Sequence, residues 1–362
     1  MKRRIAISLS FMLLALVSYA QEVEVKDWWN DLSVCQVNKM PPRANVLSGN
    51  YEILNGDWKF AYCESPKDRI VDFYKSDFDA NDWSTMPVPC NWELNGYGNT
   101  VYVNVANEFK SNPPYSPTEF NPVGQYIHEF NVPKTWKGQN VYLKIGAVKS
   151  AMYLWINGRF VGYSEDSKTP AEFDITPYIN IGKTNKLALE VYRFSDGSYL
   201  EAQDFWRMSG ITRDVVIYSK PKLNIYDYFV KAGLDENYDN GTFEIDVTLS
   251  FDYKKLPKIF YVTILIDGQK PINKTIAKKD LQPCSEKGLY TLHFDKTIIE
   301  NVKTWSAEKP NLYDLTIKIR DKKCNEIDIC SAKIGFSADH VFTFSIIVLS
   351  KCNVYNPFSL QG

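Results

Sequence analysis

The sequence predicts an all-β protein made of two β-rich regions in series. Three observations carry this. Aromatic residues make up 14% of the 362 residues, with 9 Trp, 23 Tyr and 20 Phe, and rings are enriched in sheets. Runs that alternate apolar and polar residues recur along the chain, while helical periodicity is scarce. Asn-Gly dipeptides stand inside two of the β-rich segments, where they mark tight hairpins.

The chain opens with MKRRIAISLSFMLLALVSYA, residues 1–20. Lys2, Arg3 and Arg4 precede an apolar run over residues 5–17, then Ser18, Tyr19 and Ala20 stand before Gln21. That is the layout of a secretory signal peptide. The run is shorter than the roughly 20 residues that span a bilayer, so cleavage is expected rather than a membrane anchor. No Cys follows the run, which argues against a lipid anchor. The mature chain is expected to begin near Gln21 and to be exported, to the periplasm or beyond.

Residues 21–220 form the first region. Residues 51–60 (YEILNGDWKF) and 152–161 (MYLWINGRFV) each read as β-residues around Asn-Gly, whose positive φ angles suit a type I′ turn. Residues 141–145 and 186–192 add strands. Pro221 then marks a boundary, and residues 221–335 form the second region. Its clearest element is TFEIDVTLSF, residues 242–251, where Phe243, Ile245, Val247, Leu249 and Phe251 share one face. Residues 261–267 and 312–319 repeat the style. A sandwich of immunoglobulin-like architecture is predicted there, without the Cys-Trp-Cys pattern of antibody domains.

Residues 336–362 fit neither region. The segment VFTFSIIVL, residues 341–349, is apolar without alternation and too short to span a bilayer. Left exposed, it would be an aggregation hazard.

The composition narrows the chemistry. A net charge of −1 and no basic cluster leave nothing suited to nucleic acid or a membrane surface. Seven Cys occur at irregular spacing without a CxxC pair, which excludes a zinc knuckle or a dithiol redox motif. Cys324 and Cys330 are close enough in sequence to cross-link under oxidising conditions, but buried free thiols are the default reading. The three His residues, His128, His293 and His340, lie in separate regions, which argues against a triad or a His metal site.

Acids remain. Glu165 and Asp166 follow a hairpin and read as a solvated loop. Residues 195–215 (SDGSYLEAQDFWRMSGITRDV) hold Glu201 and Asp204 beside Tyr199, Phe205 and Trp206. Aromatic surroundings could raise a carboxyl pKa, and Arg207 and Arg213 could equally pair the acids in a structural network. Residues 91–121 combine Asn, Gly and Pro with aromatic rings and carry Asn104 between two valines. They read as a rigid surface loop or as a loop that projects into a cleft.

At these residues the sequence resembles a known family. VPCNWELNGYGNTVYVNV, NPPYSPTEFNPVGQY, LWINGRFVGYSEDSKTPAEFD, SDGSYLEAQDFWRMSGITRDV and WSAEKPNLYDLTI are similar, in content and order, to the β-galactosidases of glycoside hydrolase family 2. The resemblance covers residues 28–336. It implies a jelly-roll β-sandwich that binds sugar, then an immunoglobulin-like β-sandwich. In the family a (β/α)₈ barrel follows, bearing two catalytic glutamates of a retaining mechanism and the Mg²⁺ ligands.

By the same resemblance, Asn104 of VYVNV contacts galactose. Asp204 of AQDFWRMSG contacts the sugar and helps hold a monovalent cation, Na⁺ or K⁺. The implied substrate is a β-galactoside, and family members often form homo-oligomers. After Phe336 the sequence departs from the family. Residues 337–362 are far fewer than the about 250 a barrel takes, so neither catalytic glutamate nor an Mg²⁺ ligand is expected in this chain. A frameshift, a truncation or a wrongly ended reading frame would explain that. Two other readings stay open: a non-catalytic carbohydrate-binding module, and a fragment that docks to a separate barrel-bearing chain.

Overall fold

The structure is a computed structural model that describes residues 26–43, 50–104, 107–201, 203–281 and 288–338. The signal peptide, the apolar segment 341–349, His340, Cys284 and Cys352 lie outside the described residues.

The first sandwich faces a seven-stranded sheet against a four-stranded one. The large sheet runs in the order Gln36–Val37, Arg159–Ser164, Ala151–Ile156, Thr184–Tyr192, Val123–Asn131, Gly56–Cys63, Ser84–Val88. The small sheet runs Ala171–Asp174, Asn140–Ile145, Val215–Lys220, Tyr51–Ile53. The pairings within both are antiparallel, so alternate side chains point inward. Trp58, Phe60, Trp92, Leu143, Leu154, Phe173 and Ile217 fill the space between the sheets, each almost fully buried. The outer face of the large sheet is not bare. Trp28 and Trp29 cap it, Trp28 stacking on Tyr153 at 5.8 Å and Trp29 on Tyr192 at 5.3 Å. Long-loop sandwiches with both faces of one sheet covered draw on many rings, which accounts for the aromatic content.

The two Asn-Gly dipeptides behave differently. Asn157 and Gly158, with φ of 51° and 78°, close a two-residue hairpin in which Ile156 faces Arg159. The predicted hairpin at Asn55-Gly56 does not form. Tyr51–Ile53 pairs with Val215–Lys220 in the small sheet, whereas Gly56–Cys63 pairs in the large one. Asn55 is the reason. Its Nδ2 donates to Asp214 Oδ1 at 2.8 Å and its Oδ1 accepts from Val215 N–H at 3.0 Å. These bonds tie the turn to the small sheet, and the chain crosses from one layer to the other at Gly56.

The second sandwich has three strands, Leu223–Leu234, Gly241–Phe251 and Leu289–Ile299. They lie against four, Ile272–Ala277, Ile259–Ile266, Tyr313–Asp321 and Glu326–Ile334. The alternation predicted at residues 242–251 holds: Phe243, Ile245, Val247, Leu249 and Phe251 are buried. Cys324 and Cys330 are not joined by a disulfide, Cys324 being exposed and Cys330 buried in its strand. His128 and His293 sit in strands.

Candidate functional site

Residues Val101–Val103 and Phe205–Arg207 form a two-stranded antiparallel ribbon outside both sheets. Phe205 faces Val103 and Trp206 faces Tyr102. The same register carried one residue further sets Asn104 across from Asp204. The two residues singled out in the sequence, 100 positions apart, thus stand together at one end of the ribbon. Both are exposed.

Tyr102 and Trp206 build the outer face of the ribbon. They are about half exposed and meet edge to face at 5.7 Å. The Tyr102 hydroxyl donates a hydrogen bond to Asp204 Oδ1. This bond holds the Tyr102 hydroxyl above its usual pKa, because ionising it would set a second negative charge against the carboxylate. One Asp204 oxygen is therefore engaged, in a residue that is exposed as a whole.

Behind the ribbon lies Arg207, only 3% exposed. It pairs neither with Glu201 nor with Asp204. Its Nη1 donates to the main-chain oxygen of Glu201 and its Nη2 to that of Val103, each at 3.3 Å, while its guanidinium lies over the Phe205 ring. One buried fork thus clamps both arms that carry Asn104 and Asp204. Arg213 is likewise structural, donating to Lys168 O at 3.0 Å. Glu201 is spent on the scaffold: Ser167 donates to it through N–H at 2.7 Å and through its hydroxyl at 2.5 Å.

The expectation of a solvated loop at Glu165 is wrong. Glu165 is buried, accepts from Tyr163 and faces Asp196 and Glu201. Burial, with these two acids adding to it, pushes its pKa up to about 9. Asp166 beside it is exposed, as read from the sequence.

Sequence reasoning missed a second buried network. Arg193 donates to Glu93 Oε1 at 2.8 Å and to Glu108 Oε2 at 2.6 Å, and Lys149 reaches Glu108 Oε1 at 3.3 Å. Glu93 also accepts from Ser209 N–H at 2.9 Å, two residues past Arg207. Burial raises the Glu93 carboxyl and lowers the Lys149 amine. A signal was present. Arg193 stands inside the run Val191-Tyr192-Arg193-Phe194, where a charge must find a buried partner.

Asp204 Oδ2 is a hard oxygen of the kind that suits Na⁺ or K⁺. Among the described residues no group of three or more His, Cys, Asp and Glu converges to hold a metal ion. A cation at Asp204 fits only as one shared with oxygens from elsewhere.

Two antiparallel sandwiches in series, the first bearing an exposed carboxylate–amide ribbon flanked by rings, define a two-domain all-β protein. The comparisons give that class a family. Residues 51–221 match the family described as "Glycosyl hydrolases family 2, sugar binding domain", and residues 223–336 match "Glycosyl hydrolases family 2". The chain belongs to glycoside hydrolase family 2. It is 39% identical over 337 residues to a beta-galactosidase of Priestia megaterium, covering 86% of this chain and 32% of that one. It is also 39% identical over 287 residues to a beta-galactosidase of Clostridium acetobutylicum, covering 78% of this chain and 30% of that one. The chain thus spans about a third of the length of these relatives. In fold it resembles a Bacteroides uniformis beta-glucuronidase, with a TM-score of 0.63 at 21% identity over 79% of this chain and 32% of the other.

Proposed function

We propose that this chain is the sugar-recognising N-terminal part of an exported, retaining β-galactosidase acting on terminal β-galactosides. The observation that carries this is the ribbon, where Asn104 and Asp204 converge from distant segments onto one exposed end. A carboxylate and an amide side by side offer two acceptors and a donor pair, the set that sugar hydroxyls take up. Tyr102 fixes one Asp204 oxygen, so the other is presented in one orientation. Asp204 also supplies one oxygen to a Na⁺ or K⁺ ion, which would brace the sugar hydroxyls when bound.

On this reading the catalytic glutamates and the Mg²⁺ ligands belong to a barrel that these residues do not contain. The ribbon then supplies one wall of a shared pocket, and the chain alone has no turnover. Its short alignment on the galactosidases supports this, as does the make-up of the two sandwiches. Purified chain given an aryl β-galactoside should show no hydrolysis above buffer. Turnover that Asp204→Ala abolishes would overturn the proposal.

The exposed rings of Tyr102 and Trp206 favour a second reading, a non-catalytic carbohydrate-binding module. The two readings differ in affinity. An incomplete pocket should bind galactose no more tightly than about millimolar, so micromolar binding by calorimetry would favour the module. A third reading, docking to a separately encoded barrel, rests on the apolar exposure of Leu200 and Leu94 beside the ribbon segments. Co-purification with a barrel-bearing polypeptide would select it.

A further inference from the structure

The first sandwich is open at the end remote from the ribbon. The strand Val123–Asn131 begins near the ribbon side and runs about 27 Å to the far end. There a cleft of about 490 Å³ separates the two sheets, within the size range of small-molecule sites.

Two polar side chains face this cleft from opposite sheets at positions where the strand pattern points into the core. His128 lies between Tyr126 and Phe130 on the inner face of its strand, and both neighbours are buried core residues. Glu52 pairs across the small sheet with Ile217, which is fully buried on the inner face. Cross-strand partners share a face, so Glu52 points inward too. Glu52 is an exposed residue of the edge strand and His128 a half-buried one, and no hydrogen bond among the described residues occupies either side chain.

The lining is mixed, with Leu54, Phe130 and Val132 apolar and Asn55, Glu129 and Asn131 adding polar groups beside Glu52 and His128. The His128 ring is held flat against Trp58 at 4.6 Å with 11° between the planes. Burial lowers its pKa and keeps it neutral at physiological pH. No Lys or Arg lines the cleft.

We propose that this cleft is a second binding site, distinct from the ribbon, for a neutral saccharide. A braced flat ring takes the apolar face of a pyranose. A carboxylate across from it accepts two neighbouring hydroxyls. The absence of a cation in the lining, together with Glu52, turns away uronates and phosphates. The proposal is independent of the ribbon reading, because it uses none of its residues.

The test is an NMR titration of the whole chain that follows its imidazole protons. Only three His are present, so His128→Gln assigns the signal. The probes are methyl β-galactoside, methyl β-glucoside, glucuronate and arginine. The His128 signal should shift in a saturable way with one or both neutral glycosides and stay fixed with glucuronate. Glu52→Ala, a change at an exposed residue, should weaken binding about tenfold, as expected for losing a charge-assisted acceptor. Asp204→Ala should leave the titration unchanged. The proposal is overturned if no neutral glycoside moves the His128 signal, if glucuronate or arginine moves it as well as they do, or if Glu52→Ala leaves the affinity unaltered.

Discussion

Lys220 and Asp328 form a buried ion pair between the two sandwiches. Lys220 Nζ lies 3.1 Å from Asp328 Oδ2, and both side chains are less than a tenth exposed. Lys220 ends the last strand of the first sandwich, and Asp328 lies in the last strand of the second. Asp328 Oδ2 also accepts from Ile225 N–H at 2.9 Å, just past the Pro221 boundary. Arg43 adds a second tie. It pairs with Glu172 at 3.0 Å in the first sandwich and donates to the main-chain oxygen of Tyr226 in the second.

Removing one partner of such a pair leaves the other charge buried without compensation. Lys220→Met should therefore destabilise the chain by about 3 kcal/mol in urea denaturation. The double variant Lys220→Met with Asp328→Leu should recover part of that loss. Equal stability of the single variant and the parent would show that the pair adds nothing.

The Asn-Gly pair shows what the sequence can and cannot reveal. Both dipeptides carry the same local signal, and only one makes a hairpin. Local propensity sets the turn conformation, but which strand a segment joins is decided by partners far away. Asp214 and Val215 capture Asn55, and they lie about 160 residues further along. The strands themselves were legible because alternation is a local property, as in residues 242–251. The meeting of Asn104 and Asp204 is non-local: each could be noted in its own segment, and only the resemblance linked the two. Glu165 misled because a neighbouring acid and a hairpin suggest solvent, while its burial depends on Tyr163 and Asp196.

The difference between the turns is measurable. At Asn157 the backbone has positive φ, so Asn157→Gly should be about 1 kcal/mol less destabilising than Asn157→Ala. Asn55 is not among the positive-φ residues. There Asn55→Gly should be no better than Asn55→Ala, and each should cost about 1–2 kcal/mol through the two lost side-chain bonds. Thermal or urea unfolding of the four variants reads this directly. A glycine advantage at Asn55 equal to that at Asn157 would contradict the sheet crossover.

Gly124 marks the closest packing of the first core. A Cβ placed there would lie 2.5 Å from Trp92 Cζ2 and 2.8 Å from Phe60 Cε2. Both rings are almost fully buried and cannot swing aside. Gly124→Ala should destabilise by about 3 kcal/mol, the upper range of overpacking. Trp92→Phe in the same background should restore part of the loss by vacating the contact.

Glu165 predicts a pH dependence with a definite sign. Its carboxyl titrates near 9 in the folded chain against an ordinary value of 4.5. The folded state therefore keeps a proton that the unfolded state releases between those values. Its contribution to stability is complete below about pH 4.5 and declines as pH rises toward 9. Burial raises Glu93, Glu190 and Asp328 as well, so the same slope has other contributors. Glu165→Gln keeps the shape and removes the titration. Urea denaturation at about pH 5, 7 and 9 should show the parent losing on the order of 2–4 kcal/mol more than the variant over that span. Parallel stability profiles for the two proteins would mean that Glu165 is ionised in the folded chain.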